Sequence, residues 1–434
     1  MAFQSLIIML AFLIVLLVLG IPIAVSIGIA SMAAILPTMS LDVTVVTAAQ
    51  RIFSGTSTFT LVAIPFFILA GNIMNQGGIA ERLVSFVRAI FGKVPGSLLV
   101  TNVGANALFG AISGSAAAAA AAVGGMVRDG EEKEGYDMDL AAATNGASAP
   151  SGLLIPPSNA LITYSLVSGG TSIAALFLAG YIPGIIWAGG CMIVALLLAK
   201  KKGYKGDKGA FDWKRLWSTG LKALPAISLI IIVIGGIVAG IFTATEASAI
   251  AVVYALFLSI VVYKSIDSKK LYSILIDSAE TSGMIVFLIG VSNVMSWVMA
   301  FTGIPQAIAA ALLGVTENPI AILIIINIIL LLAGTFMDVT PAILIFTPIF
   351  LPICVAFGMS PVHFGIMIVY NLCIGNITPP VGNTLFVAIK VGKSSLAKVM
   401  PYMLCYYGAI LIGLLLVTYI PMLTMWLPTV AGLL

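Results

Sequence analysis

The residues best suited to chemistry in this chain are small and polar, and they stand in the middle of apolar sequence. Ser113-Gly114-Ser115 precedes a run of alanines at 116–122, and Asp338-Val339-Thr340-Pro341 interrupts a second apolar stretch. Two further interruptions each carry a Pro-Pro pair, GLLIPPSN at 152–159 and GNITPPVGNT at 375–384. Non-helical backbone at membrane depth is tolerated only where it lines a cavity or is buried in protein, so these breaks are candidate site positions. Each also reads as the start of a new helix. Ser115 can serve as an N-cap, and Thr340-Pro341 and Thr378-Pro379 each read as an N-cap followed by proline at the first helical position. The free N–H groups and positive dipole ends that result suit an anion. The same breaks free carbonyls near Gly110, Ser113, Gly152, Ile155, Gly334, Gly375 and Thr378. Carbonyl and hydroxyl oxygens suit an alkali cation, and unwound segments hold Na⁺ in this way in transporters.

Asp338 is the only carboxylate that the spans given below place well inside a bilayer, and an ionisable group there is a functional candidate because its burial is costly. The same carboxylate could cap the helix that follows it. Ser113 and Ser115 could instead serve close packing of small residues, and Asn159 and Asn383 could satisfy freed backbone groups. The candidate substrate contacts are Ser113, Ser115, Ser158, Asn159, Asp338, Thr340, Asn383 and Thr384.

The elements that must position these groups occur twice. Residues 152–169 (GLLIPPSNALITYSLVSG) return in altered form as 375–392 (GNITPPVGNTLFVAIKVG), an offset of 223 residues. Upstream, Gly135 pairs with Gly358 at the same offset, Gly110 with Gly334 at 224 and Gly78-Ile79 with Gly303-Ile304 at 225. A register held over about a hundred residues reads as one structural unit used twice. Paired Gly/Pro-interrupted segments at corresponding positions of two halves point to a transport site.

Composition fixes the setting. Of 434 residues, 61% are hydrophobic and 8% charged, with a mean hydropathy of +1.18, against roughly a quarter charged in soluble domains. Residues 1–36 read as a first transmembrane span. Residues 40–199 form repeat 1, with a span at 58–77, a hairpin at about 96–128, a broken helix at about 138–169 and a span at 172–199. A basic loop follows at 200–220 and two connecting spans at 221–263. Residues 266–430 form repeat 2, with a span at 282–302, a hairpin at about 319–357, a broken helix at about 361–391 and a last span at 403–430. The loop from Lys200 to Arg215 holds seven of the twenty basic residues, which makes it cytoplasmic. If both hairpins enter and leave on one side, every other lysine and arginine except Arg51 also falls on the cytoplasmic side. That threading gives nine crossings, a cytoplasmic N-terminus, an outer C-terminus and two repeats of opposite orientation. The expected fold is therefore an all-α polytopic membrane protein of two inverted-topology repeats, each with a re-entrant helical hairpin and a broken transmembrane helix.

Segments 79–93 and 266–280 read as helices in the cytoplasmic interface, and 41–53 as a similar one outside. Thr243 and Glu246 have the spacing of a capping box. The single histidine, His363, and four scattered cysteines show no metal or redox spacing. No HExxH, GxSxG or Walker motif is present, so neither catalysis nor ATP coupling is expected. No transition metal, organic cofactor or nucleic-acid partner is expected either.

Six stretches together resemble the large membrane subunit of tripartite ATP-independent periplasmic (TRAP) transporters. They are IPFFILAGNIM (64–74), FGAISGSAAA (109–118), GLLIPPSN (152–159), FTATEASAIAVVYAL (242–256), GTFMDVTPAILIFTPIFLP (334–352) and GNITPPVG (375–382). The resemblance covers essentially the whole chain. It implies sodium-driven uptake of an organic acid across the bacterial inner membrane by an elevator motion, with a periplasmic end for the C-terminus. A periplasmic binding protein would deliver the substrate, and a separate small four-helix membrane subunit would enlarge the static scaffold. Carried over from the family, one sodium site comprises Ser113, Ser115, Gly152, Ile155 and Pro157. The other, by repeat symmetry, comprises Gly334, Thr335, Gly375, Thr378 and Pro380. Ser158-Asn159 and the stretch that follows look most like sialic-acid members. A C4-dicarboxylate or other carboxylate TRAP subunit, and a stand-alone Na⁺/carboxylate carrier, are the alternatives.

Overall fold

The computed structural model describes residues 2–206, 212–316 and 318–434. Positions 207–211 of the basic loop, with Lys208, lie outside the described residues. Long apolar runs form helices, and the glycine, proline and polar interruptions form their ends. The chain begins with α1 (Ala2–Val18) and α2 (Ile23–Ile35), which pack against each other. The expected single span over 1–36 is therefore two helices. Gly20 takes a left-handed φ of +77°, and Ile21 N–H donates back to the Leu16 carbonyl at 3.0 Å. This closes α1 as glycine-terminated helices close, and Pro22 prevents continuation.

There follow α3 (Leu41–Thr56), α4 (Ala63–Gln76) and α5 (Ile79–Phe91). The first hairpin is α6 (Ser97–Ser113) and α7 (Ala116–Lys133). The first broken helix is α8 (Met138–Ser148) with the short α9 (Ser151–Leu154), then α10 (Asn159–Val167). Next come α11 (Ile173–Lys201), α12 (Trp213–Val238) and α13 (Ala244–Leu256), so the loop expected over 200–220 is shortened from both ends by helix. The Thr243–Glu246 capping box is present. The 35-residue α14 (Ser268–Thr302) absorbs the segment 266–280 that reads as a separate interfacial helix. The second half then runs α15 (Ile304–Val315), the hairpin α16 (Pro319–Gly334) and α17 (Val339–Ala356), and the broken helix α18 (Pro361–Gly375) and α19 (Asn383–Gly392). It closes with α20 (Leu396–Tyr419) and α21 (Met422–Val430), where a single span over 403–430 was expected. Pro421 lacks the N–H that would carry that helix onward.

The described residues contain no strand, and seven of their helical segments are long and apolar enough to cross a membrane. The order of elements from α4 to α11 recurs from α14 to α20. Packing follows the same plan in both halves. In each half the hairpin packs on the first part of its own broken helix, α6 on α8 and α9, α16 on α18. The second part crosses over, α10 to α17 and α18, α19 to α7 and α8. Outside this inner body, α4 packs on α6 and α10 and α14 packs on α17; α1 to α3 pack on α14 and α13 on α4, while α5 packs against both α12 and α6.

Large buried aromatics hold the broken helices, and each has its polar end partnered, as buried Tyr and Trp require. Trp187 donates to the Ala147 carbonyl at 2.8 Å, Tyr164 to the Pro361 carbonyl at 2.6 Å, and the Tyr406 hydroxyl pairs with Thr144 at 2.7 Å. Amides tie each hairpin to its broken helix. Asn106 donates to Asn145 at 3.0 Å and Ser148 at 2.9 Å, and Asn371 donates to Asn327 at 2.7 Å.

Candidate functional site: the cavity between two hairpin tips

At the first tip, α6 ends on Gly114 in the left-handed region (φ +61°), whose N–H donates to the Gly110 carbonyl at 2.8 Å. Ser115 starts α7 as expected, its Oγ accepting from Ala118 N–H at 3.3 Å. The Ser113 hydroxyl lies within reach of the carbonyls of Gly110 (3.5 Å) and Ser115 (3.3 Å). Directly behind the tip the first broken helix touches α6 backbone to backbone. A Cβ on Gly152 would fall 2.2 Å from the Gly110 Cα.

The second tip repeats that contact. A Cβ on Gly375 would fall 2.4 Å from the Gly334 carbonyl carbon. The Val381 N–H donates to the Thr335 carbonyl at 3.1 Å, which fastens the tip to the break. The start of α17 differs from expectation, because the N-cap position is Asp338 rather than Thr340. Pro341 therefore stands third in the helix, where a missing N–H is still harmless because the first four have no intrahelical partner. Asp338 is extended (φ −70°, ψ 163°) and its carboxylate makes no capping hydrogen bond.

The two breaks carry cis Pro156-Pro157 and cis Pro379-Pro380. After them, α10 and α19 begin at Asn159 and Asn383. Thr378-Pro379 thus does not start a helix. The Thr378 hydroxyl turns back to the Ile374 carbonyl at 2.7 Å and finishes α18.

A cavity of about 600 Å³ opens between the tips. It is lined by Ser113 and Ser115 of tip one, Asp338 and Thr340 of tip two, and Asn159 and Asn383 at the starts of α10 and α19. Six of the eight expected substrate contacts therefore meet in one place. The other two do not face it. Ser158 is fully buried, capping α10 through Leu161 N–H (3.4 Å) and donating to the Leu153 carbonyl. Thr384 is also fully buried, with its N–H on the Asn376 carbonyl at 3.1 Å. None of Gly152, Ile155, Pro157, Gly334, Thr335, Gly375, Thr378 and Pro380 lines the cavity; Gly152, Gly334 and Gly375 lie at the two backbone contacts, while Ile155 lies against Gly184 of α11.

Four further polar lining residues are not singled out by the sequence. Asn72 and Asn75 of α4, Thr281 of α14 and Asn376 at the end of α18 also line the cavity. Asp338 is the one charged side chain among its described lining residues. The amides Asn72 and Asn75, three residues apart near the end of the largely apolar span 58–77, were the available signal.

The start of the first broken helix is held by charge. Asp137 caps α8 through Asp139 N–H at 3.0 Å, pairs with Lys202 at 2.7 Å and accepts from Tyr402 at 2.6 Å. Burial alone would raise its pKa, but the hydrogen bonds from Lys202, Tyr402 and the two backbone N–H groups outweigh it and hold the carboxyl at about 2.

Residues 10–423 match the family model described as "Tripartite ATP-independent periplasmic transporter, DctM component". The chain is 51% identical to the uncharacterized protein YgiK of Salmonella typhimurium, over 96% of this chain and 95% of that one. It is 37% identical to the C4-dicarboxylate TRAP transporter large permease protein DctM of Rhodobacter capsulatus (99% and 100% covered). It is 36% identical to the sialic acid TRAP transporter large permease protein SiaM of Vibrio cholerae (94% and 95% covered). Among solved structures, the YdaH transporter of Alcanivorax borkumensis superposes with a TM-score of 0.67 at 15% identity, covering 96% of this chain and 98% of that one. That likeness concerns the fold.

Proposed function

Because this chain belongs to the TRAP transporter family as its DctM component, we propose that it drives sodium-coupled uptake of an organic acid through the cavity between its two tips. The observation that carries this reading is the convergence of two helix starts, α7 and α17, on one cavity that also holds Asp338. Helix N-termini offer N–H groups and a positive dipole end to a carboxylate. The hydroxyl and carbonyl oxygens at Ser113, Ser115, Gly152, Ile155 and Pro157, and at Gly334, Thr335, Gly375, Thr378 and Pro380, are hard neutral donors that fit alkali cations. In this reading a sodium behind each tip joins the tip to its broken helix and so couples ion binding to the substrate site. The two halves insert with opposite orientation, both hairpins are re-entrant, and the inner body moves as an elevator against α1 to α4 and α12 to α14. The chain is an inner-membrane protein with a cytoplasmic N-terminus and a periplasmic C-terminus. It works with a small four-helix membrane subunit and a periplasmic binding protein.

Sialic acid is the substrate this reading favours, since hydroxyls and amides dominate the polar lining of the cavity. Nearly equal identity to the C4-dicarboxylate and sialic acid large permeases keeps a C4-dicarboxylate as the second reading. Reconstitution in liposomes with the small subunit and binding protein tests the proposal. Uptake is expected to stop when the sodium gradient or either partner is omitted. Uptake by this chain alone, or uptake indifferent to sodium, would overturn it.

A further inference from the structure

The α4 side of the cavity is as organised as the tips. On α4, Gly71 lies against tip one, where an added Cβ would stand 2.8 Å from the Ser113 carbonyl oxygen. The next residue, Asn72, donates its Nδ2–H to Ser278 Oγ of α14 at 2.9 Å. Ser278 in turn gives its own proton to the Ile274 carbonyl at 2.6 Å. The hydroxyl therefore needs a donor from Asn72, which fixes the amide orientation and leaves Oδ1 free to accept from a ligand. Asn75 is three residues on and so shares that face of the helix. It also lines the cavity, and no hydrogen bond to its side chain occurs among the described residues. Two amides thus line the same cavity as the helix starts, one of them fixed in orientation.

We propose that, in the conformation described, Asn72 and Asn75 of the static side meet the uncharged, hydroxyl-bearing part of the substrate acid, while the N–H groups at the starts of α7 and α17 hold its carboxylate and carry it with the inner body. This rests on the organic-acid reading above and adds which part of the acid meets which wall. No lysine, arginine or histidine lines the cavity among the described residues. With Asp338 the one charged side chain among the described lining residues, a second substrate carboxylate would add another negative charge with no cationic side chain to offset it. Hydroxyl groups can donate to Oδ1 and exchange hydrogen bonds with Asn75. A cavity of about 600 Å³ is within the range that accommodates small-molecule ligands.

The test is equilibrium binding of labelled N-acetylneuraminate and of succinate to the full chain in lipid nanodiscs, with sodium and with potassium. Leaving out the binding protein isolates the membrane site. The wild type should bind the hydroxylated acid in preference to the dicarboxylate, in sodium only. Asn75→Ala and Asn72→Ala should each weaken it about five- to tenfold, the loss of one neutral hydrogen bond, with the sodium half-saturation unchanged. Ser278→Ala keeps Asn72 but releases its amide, so the preference over succinate should narrow. A merely structural Asn72 would not give that change. Wild-type binding in both asparagine variants, or tighter binding of succinate by the wild type, overturns the proposal and leaves the organic-acid reading intact. Sodium-independent or absent binding of both acids overturns the two together.

Discussion

The two hairpin tips share a scaffold and differ in chemistry. Behind each, a glycine pair lets the hairpin and broken helix touch through their backbones, Gly110 with Gly152 and Gly334 with Gly375. In front, tip one offers hydroxyls at Ser113 and Ser115, with Ser115 spent as a cap, whereas tip two offers Asp338, whose carboxylate caps nothing. The duplicated backbone therefore preserves the close approach, while the side chains that face the cavity have diverged. What is repeated serves geometry, and what is not repeated is the chemistry each tip turns to the cavity.

Removing the unrepeated charge should have the largest effect. Asp338→Asn is expected to lower sodium-driven uptake by roughly 10- to 150-fold, the worth of about 1.5–3 kcal/mol for hydrogen bonds to a charged group. Assembly with the small subunit should be unchanged. Ser113→Ala, at the opposite tip, should shift half-saturation only about five- to tenfold, and chiefly for sodium. Initial uptake rates over sodium and substrate titrations measure both. Equal losses in the two variants would erase the distinction between the tips.

The repeated glycines make the converse prediction. Gly152→Ala and Gly375→Ala each push a methyl into facing backbone, and overpacking costs about 1–3 kcal/mol. Thermal unfolding of the purified complex should show both destabilised by similar amounts. A loss confined to one of them would break the equivalence of the halves.

A smaller contrast lies at the hairpin bases. Glu131, near the end of α7, is 2% exposed, and burial pushes its pKa up to about 8 despite Arg128, with Glu134 adding to the rise. The last turn of α17 carries no acid. Between the ordinary carboxyl range and about 8, the native state keeps a proton that the unfolded chain has lost, so stability falls as pH rises through that window. Glu131→Gln should match the wild type in melting temperature near pH 5 and exceed it near pH 8. A pH-independent difference would show that this base does not titrate.

Much of this plan is legible in the sequence because duplicated Gly and Pro-Pro breaks mark both halves. Six of the cavity-lining residues were visible as polar groups beside those breaks. The misread elements have a common cause. Gly20-Ile21-Pro22 and Ile420-Pro421 end helices without any polar residue, so hydropathy runs straight through them. The charges of 266–280 hide the continuity of α14 for the opposite reason. Ser158 and Thr384 sit beside the breaks yet turn inward as caps and packing, a choice made by tertiary contacts. Asn72 and Asn75 lie in an unbroken helix, and only the folded chain brings them to the same cavity as the tips.

The central claim is that both tips face one ligand. In a background without Cys191, Cys354, Cys373 and Cys405, Ser115→Cys and Thr340→Cys are to be labelled with a maleimide in the reconstituted complex. Sodium and the transported acid together should slow labelling at both positions, and neither should suffice alone. Protection at one tip only, or at neither, would contradict a shared site.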